Sequence, residues 1–233
     1  MQAAAKKFDP ARAAEYEQQS RIALAGYEAC HELVACMLAT AIGPAKAARV
    51  LVAGAGGTAQ EIITIGTLEP QWSFTGVDPS APMLELSKSR IDERGFTERV
   101  DLRLGYVDDL PAEPAFDAAT LIGVLHHLPG DEAKLGILRS IAVRLLPGAP
   151  LVLACNHYAY ASQPLLLAAW RQRWRMAGAT NEEVDAKLGK IQQGADPPSS
   201  EEAVAGLLGA AGFSRPVRFF SSLFWGAWLA RLQ

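Results

Sequence analysis

One junction limits the folds open to this chain more than any other. The apolar run Val50, Leu51, Val52 and Ala53 stops at Gly54-Ala55-Gly56-Gly57-Thr58. Four apolar residues in succession, with no polar alternation, suit a strand covered on both faces, which is the condition of a parallel sheet. The glycines that follow let the backbone turn sharply and admit a ligand where a β-carbon would stand in the way. Parallel neighbours cannot be joined by a hairpin, so such a strand demands crossover helices further along the chain.

The demanded alternation is present. Helical spacing is expected over 58–68, a strand over 72–77, a helix over 83–94, strands over 100–104 and 118–122, a helix over 132–145 and a strand over 150–155. Strand and helix in turn predict a doubly wound, mostly parallel α/β sheet. Ahead of it, residues 11–42 read as one long or two short helices ended by Gly43 and Pro44. Behind it, residues 162–211 look helical with a break at 194–200, and Gly212 is a stop signal. Residues 216–232, which hold Phe219, Phe220, Phe224, Trp225 and Trp228, read as two strands joined near Ser221 and Ser222 that close the sheet in antiparallel fashion. The organisation expected is an N-terminal helical cap over 1–45, a core over 46–160, a helical lid over 161–212 and the terminal strands over 213–233, all within one domain.

Composition narrows the partners. With 22 basic and 25 acidic side chains the net charge is −3, which gives no global field for attracting nucleic acid. Arg171, Arg173 and Arg175 lie on a helix with Trp170 and Trp174 and read as a solvated face. The uncharged run 145–170 is long enough to span a bilayer, but Pro147, Gly148, Pro150, Asn156, His157, Gln163 and Pro164 interrupt it, so no membrane partner is expected. No apolar stretch of signal-peptide length follows Lys6 and Lys7, which points to the cytoplasm. Cys30, Cys36 and Cys155 form no metal pattern with the four histidines; no metal is expected, and all three read as buried.

In an open parallel sheet the ligand lies beyond the carboxyl ends of the strands. The residues there occur in a definite order: Gly54-Ala55-Gly56-Gly57-Thr58, then Asp78-Pro79-Ser80-Ala81-Pro82-Met83-Leu84, Gly105-Tyr106-Val107-Asp108-Asp109-Leu110-Pro111, Phe116-Asp117, Val124-Leu125-His126-His127-Leu128 and Leu146-Pro147-Gly148. Asp78 stands about twenty residues beyond the glycines, where a carboxylate can accept both hydroxyls of a ribose. As an ordered set, over roughly residues 48–156, these motifs resemble the class I S-adenosylmethionine-dependent methyltransferases. The ending Ala211-Gly212-Phe213 with its aromatic strands extends the resemblance.

The resemblance implies a Rossmann-like fold that binds S-adenosyl-L-methionine and releases S-adenosyl-L-homocysteine. It places Gly54 and Gly56 against the methionine part and Asp78 on the ribose. Pro79 and Met83 would pack on the adenine, with Tyr106 and Val107 at its edge, and the backbone carbonyls of Ile122 and Gly123 would take the ammonium. Two positions depart from the family pattern: Val52 stands where an acidic residue is usual and Thr58 where a third glycine is usual. Tyr106 also replaces the usual acidic adenine partner, with Asp108 close enough to substitute.

The activity implied is methyl transfer to an oxygen or nitrogen, in preference to a carbon, of a small molecule. A histidine suits removal of the acceptor's proton. His126 is the first candidate and His157 the second, while His127 is expected on the packed side of the strand end. Tyr16, Tyr27, Tyr158, Tyr160 and Trp170 are expected to wall an acceptor pocket that favours aromatic or lipophilic molecules. Two alternatives are an enzyme using the same cofactor otherwise, such as a carboxy-S-adenosylmethionine synthase, and a non-catalytic binder of the cofactor or of a partner protein.

Overall fold

The computed structural model describes residues 10–43 and 47–233, with side chains from Glu15 onward; expectations for residues 1–9 and for Pro44 lie outside them. In chain order the elements are α1 (Pro10–Ala23), α2 (Tyr27–Ile42), β1 (Arg49–Ala53), α3 (Gln60–Leu68), β2 (Ser73–Asp78), α4 (Ala81–Glu93), β3 (Val100–Leu104), β4 (Ala118–Ile122), α5 (Gly130–Ala142), β5 (Pro150–Asn156), α6 (Pro164–Met176), α7 (Asn181–Gly194), α8 (Glu201–Ala210), β6 (Val217–Ser222) and β7 (Trp225–Arg231).

The seven strands form one sheet in the order β3-β2-β1-β4-β5-β7-β6. The first five run parallel, and β7 and β6 close the edge in antiparallel fashion. Successive side chains of a strand point to opposite faces. Leu51 and Ala53 accordingly pack with Leu121, Leu153, Leu138 and Val204 beneath α5 and α8. Val50 and Val52 pack with Phe74, Leu38, Ile62 and Ile65 beneath α2 and α3. β1 is therefore covered on both sides, which is why its sequence shows no alternation. The order reverses between β1 and β4, and that switch point opens a crevice above their carboxyl ends.

A third apolar cluster holds the cap together. Trp170 and Trp174 of α6 and Val184 and Leu188 of α7 enclose Phe224 and Tyr160, with Ile22 and Ala23 of α1 packed alongside. Helix α1 meets α2 at a bend of 82°, where Gly26 takes a φ of 83°. The N-terminal segment is thus two helices.

Some expectations need correction. The turn between the last strands falls at Leu223 and Phe224, because Leu223 adopts a φ of 51° and Phe224 is fully buried in the cap cluster. Cys36 is exposed, while Cys30 and Cys155 are buried. Arg171 and Arg173 are tied down, the first to Asp185 of α7 and the second to the Arg21 carbonyl of α1, so that face is not simply solvated. The uncharged run over 145–170 forms β5, a short turn and the start of α6. Among the described residues no single helix is long and apolar enough to cross a membrane.

Candidate active site

The glycine turn is pinned to the end of β2. The N–H groups of Gly54 and Ala55 both donate to the Val77 carbonyl, at 2.8 and 3.1 Å. Gly54 has a φ of +83°, and a β-carbon there would stand 2.3 Å from Val124 Cγ2, so no other residue fits. The Gly56 N–H donates to Asp78 Oδ2 at 3.0 Å, and the Ser80 N–H donates to Oδ1 at 2.8 Å. Asp78 thus fastens the turn to the start of α4. Burial raises its pKa, against the two N–H groups that favour its charge. Each oxygen is left with acceptor capacity toward a ligand, since an ionised carboxylate offers about four lone-pair sites.

Beside the turn lies a cavity of about 410 Å³, a volume within the usual range for small-molecule sites. Gly54, Gly56 and Thr58 line it from the turn, Ile122, Gly123, His126 and His127 from the end of β4, and Asn156 from the end of β5. Tyr16, Tyr27, Trp170, Trp174 and Trp225 complete its aromatic walls.

Of the residues singled out in the sequence, the cavity gathers Gly54, Gly56, Ile122, Gly123, His126, Tyr16, Tyr27 and Trp170. Asp78, Pro79, Met83, Tyr106 and Val107 are outside its lining. Met83 nevertheless abuts the turn: the Gly57 N–H donates to its carbonyl at 2.9 Å, and a β-carbon on Gly57 would meet the Tyr16 ring at 2.5 Å and Met83 Cε at 3.0 Å.

His157 is not brought to the cavity. It is fully buried, its Nδ1 pairs with the Phe224 carbonyl at 3.0 Å, and its ring stands edge-on to Trp228. The antiparallel β5–β7 pairing pulls it under the strand edge. Tyr160 is core in the cap cluster, its hydroxyl accepting from Asn156 Nδ2 at 2.7 Å, and its pKa is pushed up to about 12 by burial. Tyr158 leans on the His157 ring, 4.1 Å between centroids. These three do not wall the pocket.

The burial of the histidine pair is the reverse of the sequence expectation, while both rings line the cavity. His126 is the more buried of the two, and the Asn156 N–H, left without a β4 partner, points at its Nδ1 from 3.5 Å. That contact makes Nδ1 the acceptor and puts the proton of the neutral ring on Nε2. The backbone at His126 is braced as well: its carbonyl accepts from the Asp196 N–H at 2.8 Å, and Asp196 pairs with the buried Lys134 at 2.9 Å. His127 is half-buried, on the same cavity wall, its ring 4.3 Å from that of His126.

The ionisable residues of the cavity not singled out in the sequence are Glu15 of α1, His31 of α2, Glu61 of α3, and Lys187 and Lys190 of α7. Glu61, in the first turn of α3, and His31, on α2, both line it while being almost wholly buried. Burial pushes Glu61 up to about 7, with the Asp78 charge adding to the shift, and pushes His31 down to about 4. Beside them Tyr27 and Thr58 share a hydroxyl hydrogen bond of 2.6 Å. Glutamate at the second position of a helix that follows a glycine turn was the available signal, but which way it faces is decided by packing against α2. Asn156 Oδ1, Trp225 Nε1 and Trp174 Nε1, from residues that also line the cavity, are buried without a hydrogen-bond partner.

Residues 52–151 match the family described as a methyltransferase domain. A demethylmenaquinone methyltransferase of Lactiplantibacillus plantarum is 35% identical over 105 residues, which are 45% of this chain and 42% of that protein. Among solved structures, an O-methyltransferase family 2 protein of Planctomyces limnophilus in complex with apigenin is 16% identical with a TM-score of 0.63, over 88% of this chain and 62% of that one. Human N-acetylserotonin methyltransferase in complex with S-adenosylmethionine is 17% identical with a TM-score of 0.63, over 96% of this chain and 56% of that one. At such identities the structures speak for the fold, and the chain spans less than two thirds of each of these relatives. The family match shows a methyltransferase domain over residues 52–151, and the solved structures share its fold.

Proposed function

We propose that the protein moves the methyl group of S-adenosylmethionine to an oxygen or nitrogen of a small aromatic or lipophilic molecule. The observation that carries this reading is the shared cavity, with the glycine turn and the β4 end on one wall and an aromatic cap on the other. The residues present fit the cofactor: Asp78, bonded to Gly56 just outside the lining, keeps acceptor capacity, and the buried Glu61 lines the cavity itself.

When bound, the cofactor supplies a sulfonium methyl, an electrophile with a neutral thioether as leaving group. The protein's task is then alignment and exclusion of water. Asp78 would hold the ribose hydroxyls and the carbonyls of Ile122 and Gly123 the ammonium. Trp170, Trp174 and Trp225 exclude water from the acceptor side. The unpartnered Asn156 Oδ1 would accept a hydrogen bond from the acceptor, since a buried carbonyl left unpaired costs about 1–3 kcal/mol. Where the acceptor arrives protonated, His127 would take the proton, with His126 as its orienting neighbour. No arginine is among the described lining residues, so the carboxylated-cofactor alternative gains no support.

Calorimetric titration with S-adenosylmethionine, S-adenosylhomocysteine and NAD tests the reading. Binding of the adenosyl pair with no response to NAD is expected. Tight NAD binding with no response to either adenosyl ligand overturns it.

A further inference from the structure

Glu61 is a carboxylate that faces the cavity with no cation of its own. It is 7% exposed, and it lines the cavity with Gly54, Gly56 and Thr58. Among the described residues its one ion-pair contact is His31 Nε2, at 4.0 Å. His31 gives it no charge, because burial keeps the ring neutral until about pH 4. Nor does it give a proton: Nδ1 pairs with the Tyr27 carbonyl at 2.8 Å and carries the hydrogen, so the Nε2 lone pair is what faces Glu61. A buried carboxylate in this state is costly when ionised unless a cation meets it.

Position 52 offers none of this. Val52 packs wholly within the α2–α3 layer, beside Ala55 and Ile62. Glu61, next to Ile62 in the first turn of α3, lines the cavity. The α3 side of the turn thus takes its carboxylate from the helix and not from β1.

We propose that Glu61 supplies the carboxylate that meets the α-ammonium of the adenosyl cofactor, in place of an acid at position 52. The assignment rests on the methyltransferase reading above. Arg21 and Tyr16 face this region from α1, Tyr27, Cys30 and His31 from α2, and Asp78 from β2. Of these, Tyr16, Tyr27 and Cys30 are raised by burial and stay neutral at neutral pH. Burial pushes Glu61 up to about 7, so its charge changes near neutral pH.

The test is calorimetry with two probes, S-adenosylhomocysteine and 5′-methylthioadenosine, the second lacking the amino-acid part. Glu61→Gln is expected to weaken S-adenosylhomocysteine by roughly 10- to 100-fold, the loss of one charged hydrogen-bonded contact, and to leave methylthioadenosine unchanged, which also certifies folding. Glu61→Asp, which keeps the charge, should retain more of the affinity. Wild-type affinity for S-adenosylhomocysteine should fall up to about tenfold per pH unit below pH 7, as the free carboxyl becomes protonated, and the Gln variant should lack this slope. Equal binding of S-adenosylhomocysteine by wild type and Glu61→Gln overturns the assignment, as does an equal loss for both probes. Wild type that binds neither probe overturns the adenosyl reading itself.

Discussion

The wall of the cavity built by the sheet and the wall built by the cap are held by different forces. On the sheet side the atoms are fixed by backbone. Gly54 and Ala55 donate to Val77, Gly56 and Ser80 to Asp78, and Asn156 to His126. On the cap side α1 is held by side chains: Glu17 to Arg90 of α4, Arg21 to Glu28, and Trp170 Nε1 to the Ala23 carbonyl at 2.9 Å. Buried backbone bonds give positional accuracy at the reacting centre, while exposed ion pairs contribute little and exchange readily with water. A rigid floor and a lightly fastened roof suit a site that must admit and release both a cofactor and an acceptor.

The largest effect on this contrast is expected from Asp78→Ala, which strikes the floor. Two charge-assisted ribose bonds at about 1.5–3 kcal/mol each would be lost, lowering S-adenosylhomocysteine affinity by at least about 10². The same change strands the N–H groups of Gly56 and Ser80. The ligand-free protein should therefore also melt several degrees lower, at about 2–4 °C per kcal/mol for a chain of this size. Spacing alone assigns Asp78 to the ribose and leaves the melting temperature unmoved; the two backbone bonds revise that. Unchanged affinity would place the ribose elsewhere, and unchanged melting would deny Asp78 its part in the floor.

Next comes the histidine pair, where floor and chemistry meet. His127→Ala should lower turnover by about 10² or more on a protonated acceptor with cofactor affinity nearly intact. His126→Ala should chiefly cost stability, about 1–3 kcal/mol, by leaving the Asn156 N–H unpaired. Turnover against pH and melting curves of the two variants read these outcomes. A full-rate His127→Ala enzyme beside an inactive but stable His126→Ala enzyme would reverse the assignment.

The same contrast explains what was legible in the sequence. Floor residues lie in short contiguous stretches after apolar runs, so Gly54 and Gly56 could be placed from the strand end, and Ile122 and Gly123 followed from the family resemblance. The apolar run 50–53 pointed to a doubly covered strand because a central strand buried on both faces needs no alternation. The roof is assembled from helices distant in sequence, and orientation there is set by packing. Tyr16 and Trp170 turn inward to the cavity, whereas Tyr160 turns into the cluster around Phe224. His157 follows β5 and looks like a site residue, yet the return of β7 alongside β5 buries it beneath Phe224 and Trp228. Glu61 and His31 sit on helix faces whose neighbours are Ile62 and Cys30, and a periodic apolar face gives no sign that one of its members opens into a cavity.

The smallest expected effect concerns how the roof is fastened. Arg90 bonds both Glu17 on α1 and Glu93 on its own helix, and its side chain is 41% exposed. An exposed pair of this kind is worth roughly 0.2–1 kcal/mol. Arg90→Ala should therefore hardly change the melting temperature. It should loosen α1 over the glycine turn, where Tyr16 abuts Gly57 and Met83, and so raise the dissociation rate of S-adenosylhomocysteine by no more than about fivefold, since 1 kcal/mol is a factor of roughly five in rate. The wild-type dissociation rate should rise with salt toward that of the variant, because screening acts on exposed pairs, and the variant's own rate should respond little. Stopped-flow displacement at low and high salt separates the two possible fasteners. If Arg90→Ala leaves the rate and its salt dependence unchanged, the Trp170 and Arg173 contacts to the α1 carbonyls hold the roof, and the ion pair is ornament on a helix already secured by packing.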